Sequence, residues 1–213
     1  MKAQNSDFNR PKNLKLVREY DDGKGHIVRE VQYSQGNMRV TETIIMPKPR
    51  RHTIGFHVRV NPDTLDTDSL WLIIDKSRYV LQVYYKNRML RNYRAVFGPK
   101  PILNKCMEGD RCTPEGWFTI VNKHKSSKYN KFLGISYPGA KDIERFNELK
   151  KKGSIPKNAR IGGNIGIHGI WEGGDDMIEL GVGWTDGCIA LKNKDVNDLY
   201  LLIKEGVRVY IQK

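Results

Sequence analysis

The chain has 213 residues, of which 38% are hydrophobic, and carries a formal net charge of +13 at pH 7. This length suits one packed domain or a domain with a small appendage, and no apolar run approaches the roughly 20 residues that cross a membrane. The charge predicts an anionic partner. Because the longest basic run is Lys150–Lys152, too short for a nucleic-acid-binding arm, an acidic lipid surface or an anionic wall polymer is expected rather than nucleic acid.

The N-terminal part predicts a β-meander over residues 14–46, with glycine-containing turns between its strands. After a short apolar run at Ile54–Val60, the polar stretch 61–69 is typical of a linker, and we place a boundary near residue 67. The sequence therefore predicts a β-rich appendage of unknown role at residues 1–67 and a second domain at residues 68–213. The predicted strands of the meander are Leu14–Tyr20, His26–Tyr33 and Met38–Ile45.

The second domain is predicted to be mainly β with two helices. Residues 141–152 form one amphipathic helical pattern, and a second runs from Asn193, as its N-cap, to about Lys204. The glycine-rich stretch 172–187 predicts an irregular loop, either a lid or an ordinary exposed loop. The predicted strands are Trp71–Asp75, Tyr79–Tyr85, Leu90–Phe97, Gly116–Val121, Asn164–His168, Cys188–Leu191 and Val207–Ile211.

The three cysteines allow more than one interpretation. Cys106 and Cys112 lie close together in a loop-like segment and Cys188 stands alone, which favours one short disulfide and one free thiol. Three reduced thiols in a cytosolic protein fit equally well. A zinc site formed by Cys106, Cys112 and His124 lacks an obvious fourth ligand, so no metal site is predicted.

Cys188 is the candidate nucleophile. The preceding Gly187 leaves the thiol open and lets backbone N–H groups point at a bound carbonyl. A thiol needs a base to deprotonate it, and His168, at the end of a predicted strand, is the best placed by sequence. The alternative is a small core cysteine and a histidine in a turn. The other histidines are expected to lie away from the nucleophile or to be exposed: His26, His52, His57 and His124.

Five segments in a fixed order carry a resemblance to a known family. Over about residues 68–213 the chain resembles the L,D-transpeptidase catalytic domain, also called the YkuD-like domain. The charged residues of the second segment, Asp110, Arg111 and Glu115, are expected to be solvated. The segments are the strand pair Leu70–Phe97, the turn Gly109–Gly116 (GDRCTPEG), Ile135–Pro138 (ISYP), Gly162–Gly169 (GGNIGIHG) and Thr185–Leu191 (TDGCIAL).

This resemblance implies a compact β-sandwich or barrel-like core with a packed helix, and a reaction that needs no cofactor. Cys188, as thiolate, would attack the third residue of a peptidoglycan tetrapeptide stem and expel the terminal D-Ala. His168 would take the thiol proton, and backbone N–H groups at Gly187, Cys188 and Gly169 would hold the oxyanion. The thioester would then pass to an amine of a second stem and form a 3–3 cross-link.

The resemblance also implies a donor groove lined by Tyr137, Trp184, Thr185 and Asp186. Two positions depart from the family pattern. Asp186 stands where many members have His, and Ala190 stands where many have Arg or Asn to position the substrate. The departures leave two alternatives open. One is a hydrolase on the same scaffold, acting as an L,D-carboxypeptidase or releasing a wall-linked protein, and the other is a non-catalytic peptidoglycan-binding module.

The expected location follows from the same resemblance. The resemblance implies an exported protein that is periplasmic or associated with the cell wall. In such a protein, Cys106 and Cys112 are expected to form a disulfide that steadies the turn before Thr113. Residues Met1–Arg10 hold no apolar segment of a signal peptide, so an export signal is expected to have been removed. Carbapenems, which acylate the family's cysteine, are expected to react with Cys188.

Overall fold

A computed structural model describes residues 10–48 and 54–213. The expectations for Met1–Asn9 and for His52 lie outside these residues. Two β-sheets build the described chain, one with three strands and one with eight. None of its helices has the length and apolar character needed to cross a membrane.

The smaller sheet confirms the predicted meander. Its strands are β1 (Lys12–Asp21), β2 (His26–Gln35) and β3 (Met38–Pro47). The central strand β2 pairs antiparallel with β1 on one side and with β3 on the other. Alternation gives the sheet one buried face, because Val31, Ile44 and Met46 are 0–4% exposed while Ile45 is 57% exposed.

The larger sheet confirms a mainly β fold. It begins after two short 3-10 helices, Pro62–Thr64 and Thr67–Ser69, that occupy the predicted linker. The strands are β4 (Leu70–Asp75), β5 (Val80–Tyr85), β6 (Arg88–Arg94), β7 (Gly116–Ser126), β8 (Asn130–Ile135), β9 (Gly166–His168), β10 (Ile189–Ala190) and β11 (Arg208–Gln212).

The strand order is β10-β9-β8-β7-β11-β4-β5-β6. The described residues do not form a closed barrel, because the end strands β10 and β6 are not paired as strands and only an isolated bridge joins Ala190 to Val96, two residues beyond β6. Most neighbours are antiparallel, but β9 pairs with β10 and β4 with β11 in parallel.

In the described part of the chain, three α-helices accompany the sheet rather than two. They are α1 (Ala140–Lys151), α2 (Asp175–Leu180) and α3 (Asn193–Leu202). The additional helix α2 lies in the stretch predicted to be irregular. Acidic residues fill its first turn, where they complement the positive end of the helix dipole, and it ends at Gly181, whose φ of 80° is left-handed.

The sequence suggested Asn193 as the N-cap of α3, but this prediction is wrong. The helix begins at Asn193 itself, and Lys192 is the residue before it. The Asn193 side-chain oxygen accepts a hydrogen bond from Ile170 N–H at 3.0 Å, and its own N–H donates to Asp175 at 3.0 Å. Asn193 therefore ties the segment after β9 to the start of α3.

The main hydrophobic core lies between one face of the larger sheet and α3. Leu70, Leu72 and Ile74 point inward from β4, and burial of each such side chain stabilises the fold by about 1.5–3 kcal/mol. The inward face predicted for α3 is confirmed by the buried residues Val196 and Leu199, with Leu202 and Ile203 beside them.

A second core joins the meander to the rest of the chain. Val31, Ile44 and Met46 pack into one cluster with Ile178 of α2 and Ala190 of β10. Ala190 is completely buried there, and a cationic side chain at this position would lose its hydration. This packing gives a physical reason for alanine at position 190.

Replacing Met46 by Ala is expected to lower the free energy of unfolding by about 2–5 kcal/mol, because Met46 is 3% exposed in the second core. Met38→Ala is the matched control, since Met38 lies on the same strand but is 64% exposed. Urea unfolding followed by circular dichroism gives both values. Equal stability of the two variants would show that the meander does not share the core.

Candidate active site

Cys188 and His168 are brought to one face of the larger sheet by the parallel pairing of β9 and β10. In this register Ile189 lies beside Ile167 and Ala190 beside His168. Cys188, the residue before β10, is therefore opposite Gly166, and alternation turns its side chain to the same face as His168. The two residues are thus diagonal neighbours on one face, two positions apart along the paired strands.

His168 has the tautomer that a base requires. Its Nδ1 lies 2.6 Å from the carbonyl oxygen of Gly169, so Nδ1 carries the proton and donates it, leaving the Nε2 lone pair available. Burial lowers the pKa of His168 to about 4, against the Gly169 hydrogen bond, which raises it. The imidazole is therefore neutral at pH 7.

Aromatic side chains fix the plane of this imidazole. Tyr129 stacks on it with a centroid distance of 4.7 Å, and Phe132 lies nearly parallel to it at 6.3 Å. Trp184 meets the ring edge-on at 5.5 Å. The apolar surroundings explain why the charged form of His168 is disfavoured.

The Cys188 residue is half-buried, so water is only partly excluded from its thiol. Its sulfur lies 3.7 Å from the carbonyl oxygen of Asn164. Burial raises the pKa of Cys188 to about 11; the backbone N–H of Gly166 opposes this change and the Asp186 carboxylate adds to it. At pH 7 the Cys188 thiol and the His168 imidazole are consequently both neutral, and the thiol would have to lose its proton to act as a nucleophile.

Thr185 braces the turn that carries Cys188. Its hydroxyl donates to the carbonyl oxygen of Cys188 at 2.7 Å and accepts from the N–H of Gly187 at 3.3 Å. Gly187 has φ of 127°, and a Cβ there would lie 2.5 Å from the carbonyl oxygen of Cys112, so only glycine fits. Thr185 is 4% exposed, which gives it a bracing position below the groove surface.

The two predicted oxyanion donors, the N–H groups of Gly169 and Gly187, differ in how strongly they are already hydrogen-bonded within the protein. The Gly169 N–H donates to the carbonyl oxygens of Tyr129 at 3.0 Å and Lys131 at 3.3 Å, so it is committed to the fold and is not available to a substrate. The Gly187 N–H makes only the long bond to Thr185, which an oxyanion would have to replace.

The predicted groove residues separate into a core position and rim positions. Tyr137 is 6% exposed, belongs to the main core and donates from its hydroxyl to the Ile161 carbonyl at 3.4 Å; it therefore lies beneath the surface and not in an open groove. Trp184 lies against His168 as stated above. The Asp186 side chain is 83% exposed and stands 3.4 Å from the Arg111 guanidinium.

The turn before Thr113 is closed by a carboxylate and not by a disulfide. Cys106 and Cys112 are both free thiols, so the predicted disulfide is not formed. The Asp110 carboxylate accepts the N–H groups of Cys106 at 2.6 Å, Met107 at 2.9 Å and Cys112 at 3.0 Å. Burial by itself raises the pKa of Asp110, but these N–H groups and Lys105 together hold it below its ordinary value.

An ion pair between a buried lysine and a half-buried glutamate lies beneath the same turn and was missed by sequence reasoning. Lys76, with a completely buried side chain, contacts Glu115 at 2.8 Å and donates to the carbonyl oxygens of Leu103 and Thr113. Glu115 and Asp110 were expected to be solvated, but each is paired with a lysine that is at most 2% exposed. Nothing in the local sequence marks Lys76 as buried, since its partners lie 27–39 residues further along the chain.

Comparison with protein families gives one match. The model of the L,D-transpeptidase catalytic domain, the YkuD family, matches residues 69–211. This interval begins at the last residue of the second 3-10 helix and ends in β11. A comparison with curated protein sequences gave no match.

Several solved structures are similar to this chain. An L,D-transpeptidase from Mycobacterium smegmatis is 12% identical, with 99% of this chain and 86% of that chain covered and a TM-score of 0.45. A variant of the Enterococcus faecium L,D-transpeptidase is 13% identical over 70% of this chain and 50% of that chain, with a TM-score of 0.43. The Ldtfm-avibactam carbamoyl enzyme is 16% identical over 68% and 49%, with a TM-score of 0.44. This chain thus spans about half the length of the last two.

The alkylation rate of Cys188 by iodoacetamide is expected to rise about tenfold per pH unit from pH 7 to 10, because the fraction of thiolate limits the reaction and the pKa is about 11. Mass spectrometry of the peptide that contains Cys188 measures the rate separately from the other two thiols. Cys188→Ala confirms the peptide assignment. A rate that is already constant above pH 6 would reveal a preformed thiolate and contradict the neutral pair.

Proposed function

The chain belongs to the L,D-transpeptidase catalytic domain family, whose model matches residues 69–211, and we propose that it acts on peptidoglycan stem peptides through a thioester at Cys188. The observation that carries this proposal is the placement of Cys188 and His168 on one face of two paired strands. The Gly169 carbonyl supports it by fixing the imidazole proton on Nδ1, which leaves Nε2 to act as base.

In the acylation step the Cys188 sulfur attacks the carbonyl carbon of the third residue of a tetrapeptide stem. His168 Nε2 accepts the thiol proton as the S–C bond forms, since both groups are neutral beforehand. The C–N bond to the terminal D-Ala then breaks, and the imidazolium returns the proton to the leaving amine. The N–H groups of Gly187 and Cys188 hold the oxyanion of the tetrahedral intermediate.

In the second step an amine of another stem attacks the thioester carbon. His168 takes a proton from this amine, the S–C bond breaks and Cys188 recovers its proton, so a 3–3 cross-link forms without a metal or cofactor. Water in place of the amine would make the protein a hydrolase that trims stems or releases a wall-linked protein. Donor and acceptor stems are the proposed partners in the transferase reaction.

The rim of the site supplies the proposed donor contacts. Trp184 offers an aromatic wall beside His168, and Asp186 offers an exposed carboxylate next to the Arg111 guanidinium. A stem peptide carries both ammonium and carboxylate groups, so this adjacent pair can bind either charge. Thr185 acts by holding the Gly187–Cys188 turn.

The charge of the chain supports a site of action at the cell wall. Its formal net charge is +13, and anionic wall polymers concentrate a strongly basic protein at their surface. We infer that the protein works outside the cytoplasm, in the periplasm or in contact with the wall.

Incubation with disaccharide-tetrapeptide is expected to give a 3–3 dimer with the wild-type protein and none with Cys188→Ala, as measured by mass spectrometry. Release of D-Ala with only tripeptide formed would identify the hydrolase instead. An unchanged substrate, together with no mass increase of the wild-type protein on exposure to a carbapenem, would show a non-catalytic binding module.

His168→Gln is expected to lower kcat for thioester formation about 10²–10⁴-fold, because glutamine cannot accept the thiol proton. His124→Gln is the matched control, since His124 lies on β7 and is exposed, with its ring 5.2 Å from Phe132. Its rate is expected to stay within about twofold of wild type. Acylation by a chromogenic β-lactam, followed by absorbance, measures the rate for both variants. Equal rates in the two variants would remove His168 from the mechanism.

A further inference from the structure

Four aromatic rings form a continuous row on the outer face of the larger sheet. From Tyr84 the row passes to Trp71 at 5.1 Å, to Trp117 at 6.3 Å and to Tyr210 at 4.8 Å, and each successive pair is inclined by 31°. Trp117, in the middle of the row, is 58% exposed. The Arg208 guanidinium lies 6.0 Å from its ring centre.

The strand register creates this row. Trp71 pairs with Tyr84 between β4 and β5, and Tyr210 pairs with Trp117 between β11 and β7. The neighbours of these residues along each strand, such as Leu72 of β4, point the other way into the main core. An outer face usually carries polar side chains, so a connected aromatic surface here indicates a binding site.

Polar groups stand beside the row. A cavity of about 410 Å³ is lined by Trp117, Phe118, Thr119, Ser136 and Arg208. A pyranose ring has an apolar C–H face that packs on an aromatic ring, and hydroxyl groups around its rim that need hydrogen-bonding partners. The Thr119 and Ser136 hydroxyls and the Arg208 guanidinium provide such partners next to the indole.

The row and the catalytic pair share one face of the sheet. Along β8, Leu133 points into the main core, so Phe132 and Gly134 belong to the opposite face. Phe132 pairs with His168 on β9, while Ser136, two residues beyond Gly134, lines the cavity beside Trp117. The aromatic row and the catalytic pair therefore lie on the same face of the larger sheet, opposite the main core.

We propose that this aromatic row binds the glycan strand of peptidoglycan while one of its stem peptides enters the catalytic site. The choice of glycan rests on the proposed function, whereas the saccharide-binding chemistry rests on the rings, the hydroxyls and Arg208. Charge is also complementary, because the stems on the strand carry carboxylates and Arg208 places a cation beside Trp117.

The test measures binding of N-acetylglucosamine hexasaccharide, which has sugar rings but no stem peptide, by calorimetry with the full chain. Trp117→Ala is expected to weaken binding at least tenfold. Tyr20→Ala is the matched control with unchanged affinity, because Tyr20 is also exposed, at 39%, and also has an arginine over its ring, Arg18 at 4.6 Å. Both residues are exposed, so both variants are expected to fold, as circular dichroism would verify.

Absence of hexasaccharide binding by the wild-type chain, or equal binding by the two variants, would overturn the proposal. So would a dimer that forms with rising protein concentration and is lost in Trp117→Ala without any saccharide binding, which would assign the face to a second copy of the chain. Cys188→Ala is expected to bind the hexasaccharide as well as wild type does. Absence of thioester chemistry in the wild-type chain, with retained, Trp117-dependent saccharide binding, would therefore refute the catalytic proposal alone.

Discussion

The parallel pairing of two very short strands is the constraint on which the candidate site depends. β9 has three residues and β10 has two, yet their register decides that Cys188 and His168 share a face. Neither strand is left to hold this register alone. β9 also pairs with β8, and Ala190 exchanges two backbone hydrogen bonds with Val96, at 2.8 and 3.0 Å. Backbone ladders therefore position the reactive groups more rigidly than side-chain contacts could.

Burial then determines the chemistry available to the pair. The same apolar surroundings raise the pKa of the Cys188 thiol and lower that of the His168 imidazole, so both favour the uncharged state. Hydrogen bonds and ring contacts around them set orientation without supplying charge: Gly169 fixes the imidazole tautomer, and Thr185 fixes the turn before the sulfur. In the structure as it stands, neither group carries a charge at pH 7.

The support for this site comes from distant parts of the chain. The meander contributes Val31 and Met46 to the core that buries Ala190. The N-terminal strands therefore pack against β10, the strand that follows Cys188. On another side, Asp110 gathers the turn that contacts Gly187 through the carbonyl of Cys112. The paired Lys76 and Glu115 lie beneath it. Buried charges that are paired and hydrogen-bonded in this way fix a single loop geometry.

The sequence by itself determined the features that depend on local pattern. Alternation predicted the meander and β4, the helical period predicted α1 and the inward face of α3, and the order of short motifs identified Cys188 and His168 as the candidate pair. It did not reveal β8, because Asn130–Ile135 lacks strict alternation and becomes a strand only between β7 and β9.

Tertiary structure decided everything that depends on partners remote in sequence. The Asp110 carboxylate holds the turn through three N–H groups, and the two cysteines of the turn stay free thiols. Tyr137 lies in the main core, and the N–H of Gly169 donates to the carbonyl oxygen of Tyr129. The four rings of the aromatic row are spread from Trp71 to Tyr210. Residue type and spacing specify which side chains can pack or hydrogen-bond, but burial and strand register, fixed by the whole chain, select the pairs that do.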